Sequence, residues 1–132
     1  MSLHPVALYC TAILGGLLFL LGLAVSIQRF RSKVGSGPAP EKHALLNRLI
    51  RAHANTAEFA PFLAVLFLFF GWQGPSALAL GLIVGATVCR CLLVIGLLAW
   101  PSLSRPNPAR FVGALGTYLS GAALCLVMVA GL

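Results

Sequence analysis

The sequence predicts an all-α integral membrane protein built as a four-helix bundle. Of its 132 residues, 60% are hydrophobic and only 8% are charged, and its mean hydropathy of +1.00 lies far above that of ordinary soluble domains. Long uncharged stretches recur along the chain, and about 20 helical residues cross a hydrocarbon core roughly 30 Å thick. Their Leu, Ala, Val and Gly residues do not alternate with polar ones, which favours helices over a β-barrel.

The first two predicted helices are separated by a flexible connection. Helix one covers about residues 5–28 and ends in QRFRSK, whose long basic side chains are suited to reach lipid head groups. The stretch VGSGPAPEK that follows is rich in Gly, Ser and Pro, which favours an irregular loop. Helix two covers about residues 42–70, and Pro61 inside it predicts a kink of the kind that membrane helices tolerate.

The last two predicted helices each follow a short connection. GWQGPS leads into helix three, about residues 76–100, and PSLSRPNP leads into helix four, about residues 108–131. Trp72 and Trp100 are expected at opposite membrane surfaces, where aromatic residues act as anchors. The four helices are predicted to form one transmembrane domain, residues 1–132.

Glycines at small-residue spacings occur in three of the predicted helices. The segment GLIVG, with Gly81 and Gly85, matches the motif that allows two membrane helices to approach closely. Gly113 and Gly116 have a similar spacing in helix four. Because Gly is common in membrane helices, general helix packing is the more frequent meaning of such spacings.

Basic residues dominate the charge of the chain, which has a formal net charge of +7. They concentrate in and around the first loop and beside the third connection, whereas the second loop and both tails have no Lys or Arg. The positive-inside rule therefore places loops 29–43 and 101–108 in the cytoplasm and both termini on the opposite side. This topology accounts for the charge without a nucleic-acid partner. The His residues lack the mutual helical spacing that a metal site requires.

A polar stripe lies along one side of predicted helix two. At about 100° per residue, its members fall within an arc of roughly 80°, and His53 points elsewhere. The members of the stripe are Arg48, Arg51, Asn55, Glu58 and Phe62. Glu58 lies roughly 21 Å along the helix axis from the cytoplasmic end. A carboxylate at that depth must be neutral, face water or have a cation beside it.

Arg90, the charged residue within predicted helix three, is the candidate for that cation. It lies about ten residues, or roughly 15 Å, from the cytoplasmic end of its helix, at a depth similar to that of Glu58. We therefore predict a Glu58–Arg90 ion pair with further hydrogen bonds from Asn55 or from nearby hydroxyl groups. The pair has either a purely structural role between helices or a place beside a ligand site. Arg51, Asn55 and Glu58, one turn apart, suit a zwitterionic ligand such as glutathione.

The segment NRLIRAHANTAEFAPF resembles the second-helix signature of the MAPEG family, the membrane-associated proteins in eicosanoid and glutathione metabolism. The likeness extends to the chain length, the four spans, the charged first loop and NPARFVGALGTY at the start of helix four. It implies a homotrimer that holds glutathione, as a co-substrate, at subunit interfaces open to the cytoplasm. No metal is implied.

The resemblance also implies roles for individual residues. By this resemblance Arg51, Asn55 and Glu58 contact glutathione or order its site, and Arg90 matches an arginine that pairs with the helix-two carboxylate. Arg110 matches the arginine proposed to stabilise the glutathione thiolate, and a guanidinium near sulfur lowers the pKa of a thiol. Further candidate glutathione contacts are Arg48, Arg29 and Arg31.

The sequence departs from the family pattern where several members carry Tyr or another polar or aromatic residue. Those positions are Phe59, Leu93 and Leu97. The missing hydroxyl groups weaken the case for an eicosanoid-forming reaction and for tight glutathione binding. The hydroxyl group of Tyr118 in helix four can replace the missing hydroxyl groups only if this side chain faces the glutathione pocket.

Three functions are consistent with the sequence. The first is a membrane-embedded, glutathione-dependent transferase or peroxidase that detoxifies lipophilic electrophiles arriving from the surrounding lipids. The second is a non-catalytic protein that binds glutathione, lipid or another amphiphile. The third is a small four-helix transporter, because a carboxylate within the membrane can couple transport to protons. A Glu58 held by Arg90 argues against the transporter.

Overall fold

The computed structural model describes residues 2–131, and this part of the chain forms four α-helices. Their bounds are α1 Pro5–Ser32, α2 Ala44–Gln73, α3 Ala77–Ala99 and α4 Pro108–Ala130. Each helix is long and apolar enough to cross a membrane. The predicted all-α architecture with four membrane-spanning helices is therefore confirmed.

Two helix ends lie beyond the bounds that the sequence predicts. The first helix continues past residue 28 to Ser32, because Lys33 adopts a left-handed conformation (φ 53°) and its N–H bonds back to the last turn. The second helix includes part of the predicted turn and runs to Gln73. It ends where Gly74 takes φ 79°, a conformation that costs little only for glycine. The second connection is therefore a tight turn of three residues, 74–76.

The helices associate mainly as two pairs, α1 with α2 and α3 with α4. Backbone atoms of the second pair approach closely at Gly113, where a Cβ atom would lie 2.6 Å from the nitrogen of Leu93 and 2.8 Å from the carbonyl oxygen of Cys89. A Cβ on Gly96 would lie 2.8 Å from the nitrogen of Arg110. Small residues permit such contacts between membrane helices. They hold the start of α4, and with it Arg110, against the end of α3.

The buried side chains form two apolar clusters around one buried cation. The larger cluster includes Leu14, Phe67, Ile83 and Leu124. The smaller cluster lies nearer the first and third connections and consists of Leu21, Ala52, Leu93, Val94 and Leu97. Arg90 is the largest of the fully buried side chains in residues 2–131. A cation with no exposed surface needs partners inside the bundle.

Candidate functional site

Arg90 connects α3 to α2 in the interior of the bundle. Its Nη2 donates a hydrogen bond to Oδ1 of Asn55 over 2.9 Å. Its guanidinium carbon lies 5.3 Å from the centroid of the Phe59 ring, a cation–π distance. Its Nε and Nη1 are buried and have no hydrogen-bond partner within residues 2–131. Arg90 thus fixes the side-chain amide of Asn55 and the ring of Phe59, two residues one turn apart on α2.

The structure does not form the predicted direct ion pair between Glu58 and Arg90. Arg90 binds Asn55 instead, and Glu58 is exposed on the surface of α2. The reason is the direction in which each side chain leaves α2. Asn55 and Phe59 are only about 40° apart around the helix, so both can face Arg90, whereas Glu58 is about 100° from Phe59. The argument against a transporter that rested on a pinned Glu58 therefore does not hold.

A polar groove of about 340 Å³ lies between α2, α3 and the start of α4. It brings together three residues that the sequence assigned to the site, Arg51 and Asn55 from α2 and Arg110 from α4. The other residues that line it are Leu93, Leu97, Pro106, Asn107, Phe111, Ala114 and Tyr118. Two guanidinium groups and an amide along one groove can bind a ligand that carries several carbonyl and carboxylate oxygens.

Asn107 positions Arg110 by capping α4. Its Oδ1 accepts a hydrogen bond from the backbone nitrogen of Arg110 over 3.1 Å, and its Nδ2 donates to the carbonyl oxygen of Gly96 over 2.7 Å. The Arg110 Nη1 donates to the carbonyl oxygen of Leu103 over 2.9 Å. The guanidinium therefore lies beside the N-terminus of α4, where the helix dipole also favours an anion.

A second, apolar groove of about 430 Å³ runs between α2 and α4. Its lining residues are Glu58, Phe59, Phe62, Leu63, Leu66, Thr117, Tyr118, Gly121, Ala122 and Cys125. Among the residues that line the two grooves, Tyr118 alone lines both. Its ring packs against Phe59 with 5.4 Å between the centroids. The polar and apolar grooves therefore meet at Tyr118.

Comparison with known proteins identifies the family. The model of the MAPEG family matches residues 7–130, nearly the full chain. The chain belongs to the MAPEG family. Comparison with curated proteins and with solved structures gives no match. As a MAPEG member with four helices that can span a membrane, the protein is a multi-pass integral membrane protein, and the resemblance based on NRLIRAHANTAEFAPF is confirmed.

The other arginines assigned to glutathione do not line the polar groove of this MAPEG protein. Arg48 donates from Nη1 to the carbonyl oxygens of Leu98, over 2.8 Å, and Trp100, over 2.9 Å. Arg29 binds carbonyl oxygens in the first loop, including that of Gly37 over 2.7 Å. The exposed side chain of Arg31 lies at the end of α1. Their roles as glutathione contacts stay predictions.

Replacing Arg48 by alanine is expected to lower the stability of this MAPEG protein by about 1–2 kcal/mol. The side chain satisfies carbonyl groups at the end of α3, and hydrogen bonds from a charged donor contribute about that much. Thermal unfolding in detergent measures the effect, with Arg51→Ala as the matched control because Arg51 is exposed. A loss of glutathione binding by Arg48→Ala without a lower Tm would instead place Arg48 at the ligand.

Asn107 is a site residue of this MAPEG protein that the sequence analysis did not single out. The signal was present, since Asn107 precedes Pro108, and Asn at the N-cap followed by Pro at the first helical position is typical of a helix start. Its side chain is buried and hydrogen-bonded to both α3 and α4. The groove also includes Tyr118, which meets the condition that it must face the pocket.

Proposed function

We propose that the protein is a glutathione-dependent transferase or peroxidase that detoxifies lipophilic electrophiles within the membrane. The observation that supports this function best is that the groove lined by Arg51, Asn55 and Arg110 meets an apolar groove at Tyr118. Glutathione is a charged peptide, whereas its acceptors are apolar. Adjacent compartments of opposite polarity can hold the two reactants side by side, which removes much of the entropic cost of their encounter.

Glutathione binds in this proposal through the α2 side of the polar groove. The exposed guanidinium of Arg51 pairs with a carboxylate of the peptide. The Oδ1 of Asn55 is occupied by Arg90, so its Nδ2 is left to donate to a carbonyl or carboxylate oxygen of the ligand. Arg90 is thus a positioning residue, because it sets which side of the amide faces the groove.

The chemistry takes place at the α4 side of the polar groove. The guanidinium of Arg110 and the N-terminus of α4 stabilise the glutathione thiolate, and the proton of the thiol passes to water. The sulfur then forms a bond to an electrophilic carbon of the acceptor, and the leaving group departs with its electron pair. We further propose that the functional unit is a homotrimer whose glutathione sites open to the cytoplasm, the side of the first and third connections.

Non-catalytic binding is the second candidate function. Leu93 and Leu97 are buried in the wall of the polar groove, so these two positions supply no hydroxyl group to a reacting thiol. A groove that retains two arginines without these hydroxyls can hold glutathione without activating it.

Replacing Arg51 by alanine is expected to weaken glutathione binding about 10- to 100-fold, since a hydrogen-bonded charge pair contributes roughly 1.5–3 kcal/mol. Equilibrium dialysis of the detergent-solubilised protein with radiolabelled glutathione measures the affinity. Lys42→Ala, which removes an exposed cation of the first loop, is the control and is expected to bind like the unmodified protein. Absence of saturable binding to the unmodified protein contradicts the proposed function.

A further inference from the structure

We propose that Tyr118 is a catalytic residue of this protein, which gives its phenol proton to the leaving oxygen when the acceptor is an organic hydroperoxide. This inference rests on the proposed function and names the proton donor for its peroxidase reaction. It depends on the position of Tyr118, the one lining residue that the polar and apolar grooves share.

Reduction of a hydroperoxide needs a proton donor, whereas conjugation of an aryl chloride does not. The thiolate sulfur attacks the terminal oxygen of the hydroperoxide, an S–O bond forms, and the O–O bond breaks with its electron pair on the second oxygen. The sulfur is oxidised to a sulfenic acid, and the alkoxide that leaves is a strong base that must take up a proton. A second glutathione converts the sulfenic acid to the disulfide and water. Chloride, in contrast, leaves an aryl ring without a proton.

The order of residues along α4 suits this reaction. Arg110, which lines the polar groove, is followed by Tyr118 and then by Cys125, which lines the apolar groove. The α-carbons of Arg110 and Tyr118 are about 12 Å apart along the helix axis. A sulfur beside the guanidinium, two peroxide oxygens in line with it and a hydrogen bond to the phenol together span roughly 10 Å. The hydrocarbon part of the acceptor then lies in the apolar groove and its peroxide group lies at Tyr118.

Tyr118 has the available hydroxyl group of the two groove linings. Thr117 has the other one, but Thr117 is 1% exposed and its hydroxyl group donates to the carbonyl oxygen of Gly113 over 2.7 Å. Tyr118 is 49% exposed. A phenol keeps its proton at neutral pH and can donate it. Without that donor the alkoxide would form beside an apolar groove, where an unpaired charge is costly.

Phe59 fixes the ring of Tyr118. The centroids of these two rings are 5.4 Å apart, and the ring planes are inclined by 42°. The same Phe59 ring lies 5.3 Å from the guanidinium carbon of Arg90. Because Arg90 is fully buried, this contact anchors Phe59 in the bundle. A phenol held by a fixed neighbour can donate its proton in a constant direction, as general acid catalysis requires.

A pair of acceptors tests the role of Tyr118. Purified protein with saturating glutathione is given cumene hydroperoxide or methyl 4-chloro-3-nitrobenzoate at neutral pH. Glutathione disulfide is followed through glutathione reductase and NADPH, and the aryl thioether by its absorbance. Tyr118→Phe is expected to lower kcat for the hydroperoxide about 100-fold, at the lower end of the usual contribution of a general acid, and to change kcat for the aryl chloride little. The ratio of the two rates within one variant cancels any effect on folding or on glutathione binding.

Two further variants assign the proton to Tyr118. Tyr9→Phe changes the only other tyrosine of the chain, an exposed residue of α1 outside both groove linings, and is expected to leave the ratio unchanged. Glu58→Gln removes the carboxyl group of the apolar groove and is expected to change both rates by the same factor. A ratio that falls in Glu58→Gln but not in Tyr118→Phe would make Glu58 the donor and overturn the inference.

Failure of this inference can be distinguished from failure of the proposed function. If Tyr118→Phe conjugates and reduces with the ratio of the unmodified protein, the proposed function stands and the role of Tyr118 is overturned. A protein that conjugates the aryl chloride but does not reduce the hydroperoxide overturns the inference alone. If the unmodified protein does neither, the proposed function is wrong and the inference is wrong with it.

Discussion

Replacing Arg110 by alanine is expected to lower kcat for glutathione conjugation by roughly 100- to 1,000-fold, the usual effect of removing a group that stabilises a reacting anion. Arg110 lies in the polar groove beside the N-terminus of α4. Without its guanidinium, less of the bound thiol is ionised at neutral pH, and thiolate is the nucleophile. Initial rates with methyl 4-chloro-3-nitrobenzoate at saturating glutathione measure the loss.

The matched control for this experiment is Arg105→Ala. Arg105 is an exposed arginine in the connection between α3 and α4 and does not line the polar groove. The conjugation rate of the Arg105→Ala variant is therefore expected to stay near that of the unmodified protein. Thermal unfolding of both variants is needed as well, because Arg110 also holds the carbonyl group of Leu103. A folded Arg110→Ala variant that conjugates as fast as the unmodified protein would favour the non-catalytic alternative.

Replacing Gly113 by alanine is expected to destabilise the protein by about 3 kcal/mol, near the upper end for overpacking by one methyl group. The new Cβ would lie 2.6 Å from the nitrogen of Leu93 and 2.8 Å from the carbonyl oxygen of Cys89. Both are backbone atoms, so rotation of a side chain cannot relieve the clash, and α4 must move away from α3. Thermal unfolding in detergent should show a lower Tm, and glutathione binding should weaken because this contact also positions Arg110.

Gly81→Ala is the matched control for Gly113→Ala. A Cβ on Gly81 would have no atom within 4 Å, and alanine in a helix is favoured over glycine by about 0.5–1 kcal/mol. A neutral or slightly higher Tm is therefore expected. A Tm lowered as much as in Gly113→Ala would show that GLIVG packs against another subunit.

The choice between Asn55 and Glu58 as the partner of Arg90 shows which contacts can be predicted from the sequence and which cannot. Both residues fall in the polar arc of α2, only about 60° apart. The depth of Arg90 was estimated from the sequence, but both candidates lie at similar depths. The structure rotates α2 so that Asn55 and Phe59 meet Arg90. Helical periodicity groups residues on a face, but it does not give the rotation of one helix against the next.

The two glycine motifs illustrate the same limit. Gly81 and Gly113 each have a small residue three or four positions away, and the sequence alone gave GLIVG the better match to a close-approach motif. Of these two glycines, Gly113 meets backbone atoms of another helix in the structure, whereas Gly81 has open space beside it. Spacing indicates where a close contact is sterically allowed. The neighbouring helix decides where it occurs.

The sequence by itself determined the membrane class, the four spans, the family signature and the arginines and amide of the polar groove. Composition and local periodicity are sufficient for the spans and for the polar side of α2, because these depend on single helices. Arg110 was assigned from the family resemblance. Only the tertiary structure decided that Tyr118 joins two grooves and that Glu58 faces the apolar one. In lipid both the packed and the exposed faces of a helix are apolar, so hydrophobicity does not show which face meets a neighbour.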